Sequence, residues 1–181
     1  VPVVSKSLAS RIFGKGSLPL QYSSRSSAIA IDSNGWHSCA LMVTGSVQCV
    51  GKNNDGELGN NTTVSRYSPV LVSGITTAVS VYVGENHSCA LLSDGFVKCW
   101  GDHSWSQVGD GLSGVADALT PVNVSGLSSV SSLAVGKHHS CAVLTNNTVK
   151  CWGYGAFGQL GRGSTTTSNS ASLVLSLIHI S

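Results

Sequence analysis

The sequence predicts an all-β protein assembled from one repeated unit, and three observations carry that expectation. Every cysteine falls in one recurring phrase: "HSCALMVTGSVQCVG" from His37, "HSCALLSDGFVKCWG" from His87 and "HSCAVLTNNTVKCWG" from His139. The phrase returns after 50 and then 52 residues, and other positions keep step with it: Gly51, Gly101 and Gly153; Leu58, Val108 and Leu160; Gly59, Gly109 and Gly161; Pro19, Pro69 and Pro121. A fixed period of this length marks stacked copies of one supersecondary unit. No stretch repeats its apolar residues every three to four positions over ten or more, so helices are not expected.

Each unit reads strand, tight turn, strand, loop. In "CALLSDGFVKC" the residues Ser93, Asp94 and Gly95 suit a three-residue hairpin loop, with Gly95 free to take the positive φ of the bulge position. Centring that turn on Asp94 sets Leu92 opposite Phe96 and Cys89 opposite Cys99. The same arithmetic pairs Cys39 with Cys49 about Thr44, and Cys141 with Cys151 about Asn146. Directly opposed residues on antiparallel strands lie within the reach of a disulfide, so three cross-strand disulfides are expected. Each closes a short loop and contributes roughly 2.5 to 3 kcal/mol at most in the chain-entropy model. A His-x-Cys…Cys metal site at His37, His87 and His139 is the competing reading. It is disfavoured because zinc wants four ligands and closely spaced cysteine pairs; neither metal nor cofactor is expected, and the histidines are read as packed, hydrogen-bonded core residues.

Cys89 and Cys99 share a face with His87, Leu91 and Val97, while Ala90, Leu92 and Trp100 fill the other. Both faces are mainly apolar, which suits sheets stacked against neighbours on either side, as in a propeller, better than a one-sided meander. The remaining strands come from "PVLVSGITTAVSVYVG" at Pro69 and "PVNVSGLSSVSSLAVG" at Pro121.

Composition excludes several function classes. Charged residues make up 10% of the chain and the net charge is +2. The basic residues are scattered singly, without the clustered footprint of a nucleic-acid or anionic-membrane surface. No segment approaches the ~18 apolar residues of a membrane span. The chain opens at Val1 without a signal-type entry, and its last seven residues, "LSLIHIS", resemble the translation of a sequencing-library adapter. Residues 1–174 are therefore read as a fragment of about three to three and a half units, and 175–181 as adapter-derived.

"CWGYGAFGQLGRG" from Cys151, with "P-V-x-V-S-G-L" and "V-x-x-G-x-x-H-S-C-A-L", closely resembles the repeat of the regulator of chromosome condensation family. The resemblance implies a β-propeller of four-stranded blades, usually seven, so the rest of the propeller is itself an expected partner. Three departures stand out: Val50 in place of the tryptophan at Trp100 and Trp152, Val108 in place of leucine, and Ser172 where Pro69 and Pro121 predict proline.

Catalysis has little support, because the carboxylates Asp32, Asp55, Glu57, Glu85, Asp94, Asp102, Asp110 and Asp117 fall mostly in turns without paired spacing or a nucleophile motif. The chain is read as a non-enzymatic scaffold binding a protein or glycan on the extracellular or lumenal side, since disulfides persist in oxidising compartments. Asn60, Asn61, Asn86, Asn123 and Asn146 each head an Asn-x-Ser/Thr triplet; Asn86 lies beside an inward His and is doubtful as an acceptor, leaving the other four as candidates for N-glycosylation. The alternative, from the family's nuclear members, is nucleotide exchange on a small GTPase, which paired cysteines disfavour. A light-sensing role, also known in the family, has only Trp36 and Trp105 outside the repeat. Recognition residues are expected in the loops that vary between units, 52–66, 102–119 and 154–170. His103 and Trp105 are the expected exposed candidates of the second loop, with Tyr154 and Phe157 in the third.

Overall fold

The structure, a computed structural model, describes residues 27–175. The Pro19 repeat position, residues 1–26 and residues 176–181 of the adapter-like stretch lie outside the described residues. Twelve strands follow in order: β1 (Ala28–Asn34), β2 (His37–Met42), β3 (Val47–Gly51), β4 (Arg66–Leu71), β5 (Ala78–Val83), β6 (His87–Leu92), β7 (Val97–Gly101), β8 (Ala118–Asn123), β9 (Val130–Val135), β10 (His139–Leu144), β11 (Val149–Gly153) and β12 (Ser168–Leu173). They form three antiparallel four-stranded meanders, β1–β4, β5–β8 and β9–β12. These are three consecutive propeller blades, and no helix occurs among the described residues.

The hairpin arithmetic holds in all three. Cys39 pairs with Cys49, Cys89 with Cys99 and Cys141 with Cys151 across the strands. Each pair is a disulfide, with the Cα atoms 4.1 Å apart. Gly45 and Gly95 turn the first two hairpins at φ +78° and +79°, and Asn147 holds that place in the third at φ +64°. Small residues or Asn carry such backbone at least cost.

Side chains alternate across each strand, so both faces of a central blade must be covered. One core joins Cys39, Leu41, Val47 and Cys49 of the first blade to Ala90, Leu92 and Trp100 of the second. Another joins Cys89, Leu91, Val97 and Cys99 to Ala142, Leu144 and Trp152 of the third. Every residue of β6 is consequently buried. On the third blade His139, Cys141 and Val143 are only half-buried, since their face has no neighbouring blade among the described residues.

One expectation about register is corrected. Ala171, not Ser172, occupies the place of Pro69 and Pro121: Val70, Val122 and Ser172 face the second cysteine of their hairpins. The extra two residues of the second unit lie in its loop, 102–117, and the third loop returns to the length of the first.

Candidate functional site

Because His37, His87 and His139 pair with Gly51, Gly101 and Gly153, the β3–β4, β7–β8 and β11–β12 loops emerge at the same end as the β1–β2, β5–β6 and β9–β10 turns. Loop and turn are tied in each blade: Lys52, Asp102 and Tyr154 donate their backbone N–H to the carbonyls of Trp36, Asn86 and His138. Within each loop a Glu or Gln turns inward and accepts the backbone N–H two residues before it. Glu57 receives Asp55, Gln107 receives Trp105 and Gln159 receives Phe157, all at 2.8 to 2.9 Å. Glu57 and Gln107 are fully buried, so the side chain at the tip is pushed outward on a fixed base.

The tip residue decides what each loop offers. In the first it is Asp55, and Lys52 Nζ bridges Asp55 Oδ2 at 2.7 Å, Glu57 Oε1 at 2.8 Å and Asn86 Oδ1 at 3.2 Å. Burial pulls the Lys52 ammonium down, but the two carboxylates outweigh it and hold it above its ordinary range. That loop ends in a charged cluster of one cation and two carboxylates, already engaged with one another. In the second and third loops the tips are Trp105 and Phe157, 45% and 85% exposed.

Tyr154 joins these two aromatics at the seam between the second and third blades. Trp105 and Tyr154 have ring centroids 4.8 Å apart at 63°, and Tyr154 and Phe157 5.9 Å apart at 77°. His138 stands edge-on to Tyr154 at 6.4 Å. Beside it, Glu85 of the second blade meets Lys137 of the third at 2.9 Å, with His138 Nε2 at 3.6 Å. The seam is an apolar aromatic row with a polar, charge-balanced edge, the composition of an interface core with its rim.

Three of the four expected recognition residues, Trp105, Tyr154 and Phe157, are thus brought together. His103 is not among them. It is buried, not exposed: its backbone N–H reaches Asp117 Oδ1 at 3.0 Å and its Nε2 lies 2.9 Å from Asp110 Oδ1. Its place is the interior of the loop that carries Trp105. The sequence reading missed His138, Glu85 and Lys137, and missed the recurrence at Glu57, Gln107 and Gln159, which keeps the same 50 and 52 step as the cysteines.

The histidines of the repeated phrase form a second buried set. His37 Nε2 lies 2.7 Å from Ser88 Oγ of the next blade, and His87 Nε2 lies 3.1 Å from Ser140 Oγ. Burial first, and Lys52 second, lowers the His37 pKa to about 4. His87 is lowered to about 3 by burial and then by His37, His138 and His139. These neutral, inaccessible imidazoles are structural members of the core. Among the described residues no three His, Cys, Asp or Glu side chains are grouped to hold a metal ion.

The family model described as "Regulator of chromosome condensation (RCC1) repeat" matches residues 44–91, and a second model of the same description matches 28–57 and 130–159. The chain belongs to the RCC1-repeat family. This RCC1-repeat chain is similar to the ultraviolet-B receptor UVR8 of Arabidopsis thaliana, 29% identical over 144 residues, 77% of this chain and 32% of that protein. In fold it is similar to yeast RCC1 (Prp20) in its complex with Kap60, with a TM-score of 0.74 and 24% identity over 83% of this chain and 37% of that one. Human WBSCR16 gives 0.72 and 21% over 82% and 38%. The chain spans about a third of the length of the curated relative it matches.

Proposed function

We propose that residues 1–174 are part of a non-catalytic β-propeller that binds a protein or glycan partner through its loop face, on the extracellular or lumenal side of a secretory or membrane protein. The observation that carries this reading is the aromatic row Trp105–Tyr154–Phe157, assembled from two blades, with Trp105 and Phe157 exposed and Tyr154 half-buried between them. Large aromatics held at a surface are the usual anchors of binding energy. Three disulfides, with no free cysteine among the described residues, support the oxidising compartment.

The test places a photo-crosslinking side chain at Phe157 and exposes the full chain to intact cells and to an immobilised glycan panel. A defined protein or glycan adduct that falls at least tenfold with Trp105→Ala is the expected result. Adducts indifferent to both Trp105→Ala and Tyr154→Ala would remove the row as the docking surface.

The likeness of fold to Prp20 favours a second reading, nucleotide exchange on a small GTPase, checked by nucleotide release from a purified GTPase. The name of the Arabidopsis relative suggests light sensing, but here Trp100 and Trp152 are fully buried and each donates its indole N–H across a blade boundary.

A further inference from the structure

The five Asn-x-Ser/Thr triplets are treated very differently by the fold. Asn86 is half-buried and its Oδ1 accepts Lys52 Nζ; the third residue of its triplet, Ser88, is fully buried with its hydroxyl against His37. Asn60 is half-buried in the first loop, where its Oδ1 accepts both Asn53 Nδ2 at 3.3 Å and Thr62 Oγ1 at 2.8 Å. Asn61, whose triplet ends at Thr63, is exposed, but its backbone has φ +60° and its N–H is tied to Leu119 O of the next blade at 2.9 Å. Asn123 is exposed but ends an extended strand, β8.

Asn146 is different in kind. It sits at the tip of the β10–β11 hairpin, exposed, and its Oδ1 accepts the backbone N–H of Thr148 at 3.1 Å and Thr148 Oγ1 at 2.7 Å. Both contacts fall on the carbonyl oxygen, the amide nitrogen has no hydrogen bond among the described residues, and asparagine and threonine side chains are presented together on one turn. The other hairpin tips use Gly45 and Gly95 at the positive-φ place where the third has Asn147. Glycine is the cheaper residue there, and the chain instead carries an Asn-Asn-Thr triplet.

We infer that Asn146 is an acceptor for an N-linked glycan and that Asn86 is not. In the transfer, Asn146 Nδ2 bonds to the anomeric carbon of a lipid-diphosphate oligosaccharide donor. The bond from that carbon to the diphosphate oxygen breaks, Nδ2 releases one proton, and the lipid diphosphate leaves; nothing is oxidised or reduced. The hairpin tip is at the opposite end of the blade from Tyr154 and Phe157, so a glycan there leaves the aromatic row open. The inference rests on the secretory placement proposed above.

The full chain exported through a eukaryotic secretory pathway is digested with its disulfides mapped, and the Asn146 and Asn86 peptides are read by mass spectrometry before and after enzymatic deglycosylation in heavy-oxygen water. Glycan on most Asn146 peptides, lost in Thr148→Ala with the three disulfides kept, is expected. Export with closed disulfides and a bare Asn146, or a glycan on Asn86, overturns the assignment while the compartment stands. A chain retained with free thiols overturns both.

Discussion

His87 bonds across a blade boundary, its Nε2 3.1 Å from Ser140 Oγ, and His37 repeats the contact with Ser88 one blade earlier. Adjacent residues on a strand point to opposite faces, so the central His-Ser pair serves two neighbours at once: His87 faces the following blade and Ser88 the preceding one. The "HSC" phrase is therefore a connector as well as a disulfide anchor, on both sides at His87 and Ser88 and on one side at His37 and at Ser140.

Removing one half of that connector should cost more than the loss of a single hydroxyl. His87 Nδ1 has no partner among the described residues, so Ser140→Ala leaves the buried ring without a hydrogen bond there, a change of about 1 to 3 kcal/mol. Urea unfolding of Ser140→Ala beside the exposed Ser93→Ala reads it. Equal stabilities for the two variants would mean that the contact contributes nothing net.

Acid should loosen the same joints. The folded-state pKa values of His37 and His87, about 4 and about 3, lie below the ordinary 6.5. Above pH 6.5 both folded and unfolded chains hold neutral imidazoles and this stability is fully present. Below it the unfolded chain takes up protons first, so stability falls until the folded pKa is reached. Between pH 6.5 and 5 each histidine is expected to cost about 2 kcal/mol. Unfolding midpoints at pH 7.5, 6 and 5 should descend, and less steeply in His87→Gln.

Steric closeness at the joints is separable from backbone strain. Gly109, at φ +77°, packs so tightly on Trp152 that an added Cβ would lie 2.5 Å from the indole, whereas Gly74, at φ +66°, has nothing within 4 Å. Alanine at Gly74 carries only the left-handed backbone penalty, about 1 to 2 kcal/mol. Gly109→Ala adds displacement of Trp152, whose Nε1 donates to Gln107 O at 3.0 Å. It should be the more destabilising variant by at least about 1 kcal/mol, with a shifted tryptophan emission. Identical losses would show that the ring moves aside freely.

The hairpins were legible because a two-residue period and a three-residue turn leave no freedom: once Asp94 is the centre, Cys89 must meet Cys99. The burial of both faces followed from Leu91 and Leu92 being apolar together. Which blade His87 would reach was not legible, since that depends on the rotation between sheets, and no residue of either strand encodes it alone. His103 failed for a different reason. Its partner Asp110 lies seven residues on, in an irregular loop without period, where polar spacing carries no sign of inside or outside. The place of the missing proline, Ala171 rather than Ser172, was not legible because the loop between β11 and β12 returns to the length of the first loop while the second is two residues longer.

Reduction under native conditions should distinguish the three disulfides by their blade rather than by their geometry. Cys39, Cys49, Cys89 and Cys99 are sealed between sheets, whereas Cys141 is half-buried on the face of the third blade. Thiol–disulfide exchange needs a thiolate to approach a sulfur, so access governs the order. Timed alkylation of the chain in a thiol reductant should show Cys141–Cys151 opening at least tenfold faster than the other two. The double variant Cys141→Ser with Cys151→Ser should then lose no more than about 3 kcal/mol, the loop-closure limit for so short a span. A single rate for all three bonds would mean that reduction waits for the whole arc to unfold, so that the inter-blade joint at Ser140 binds the third blade as firmly as the joint at Ser88 binds the first two.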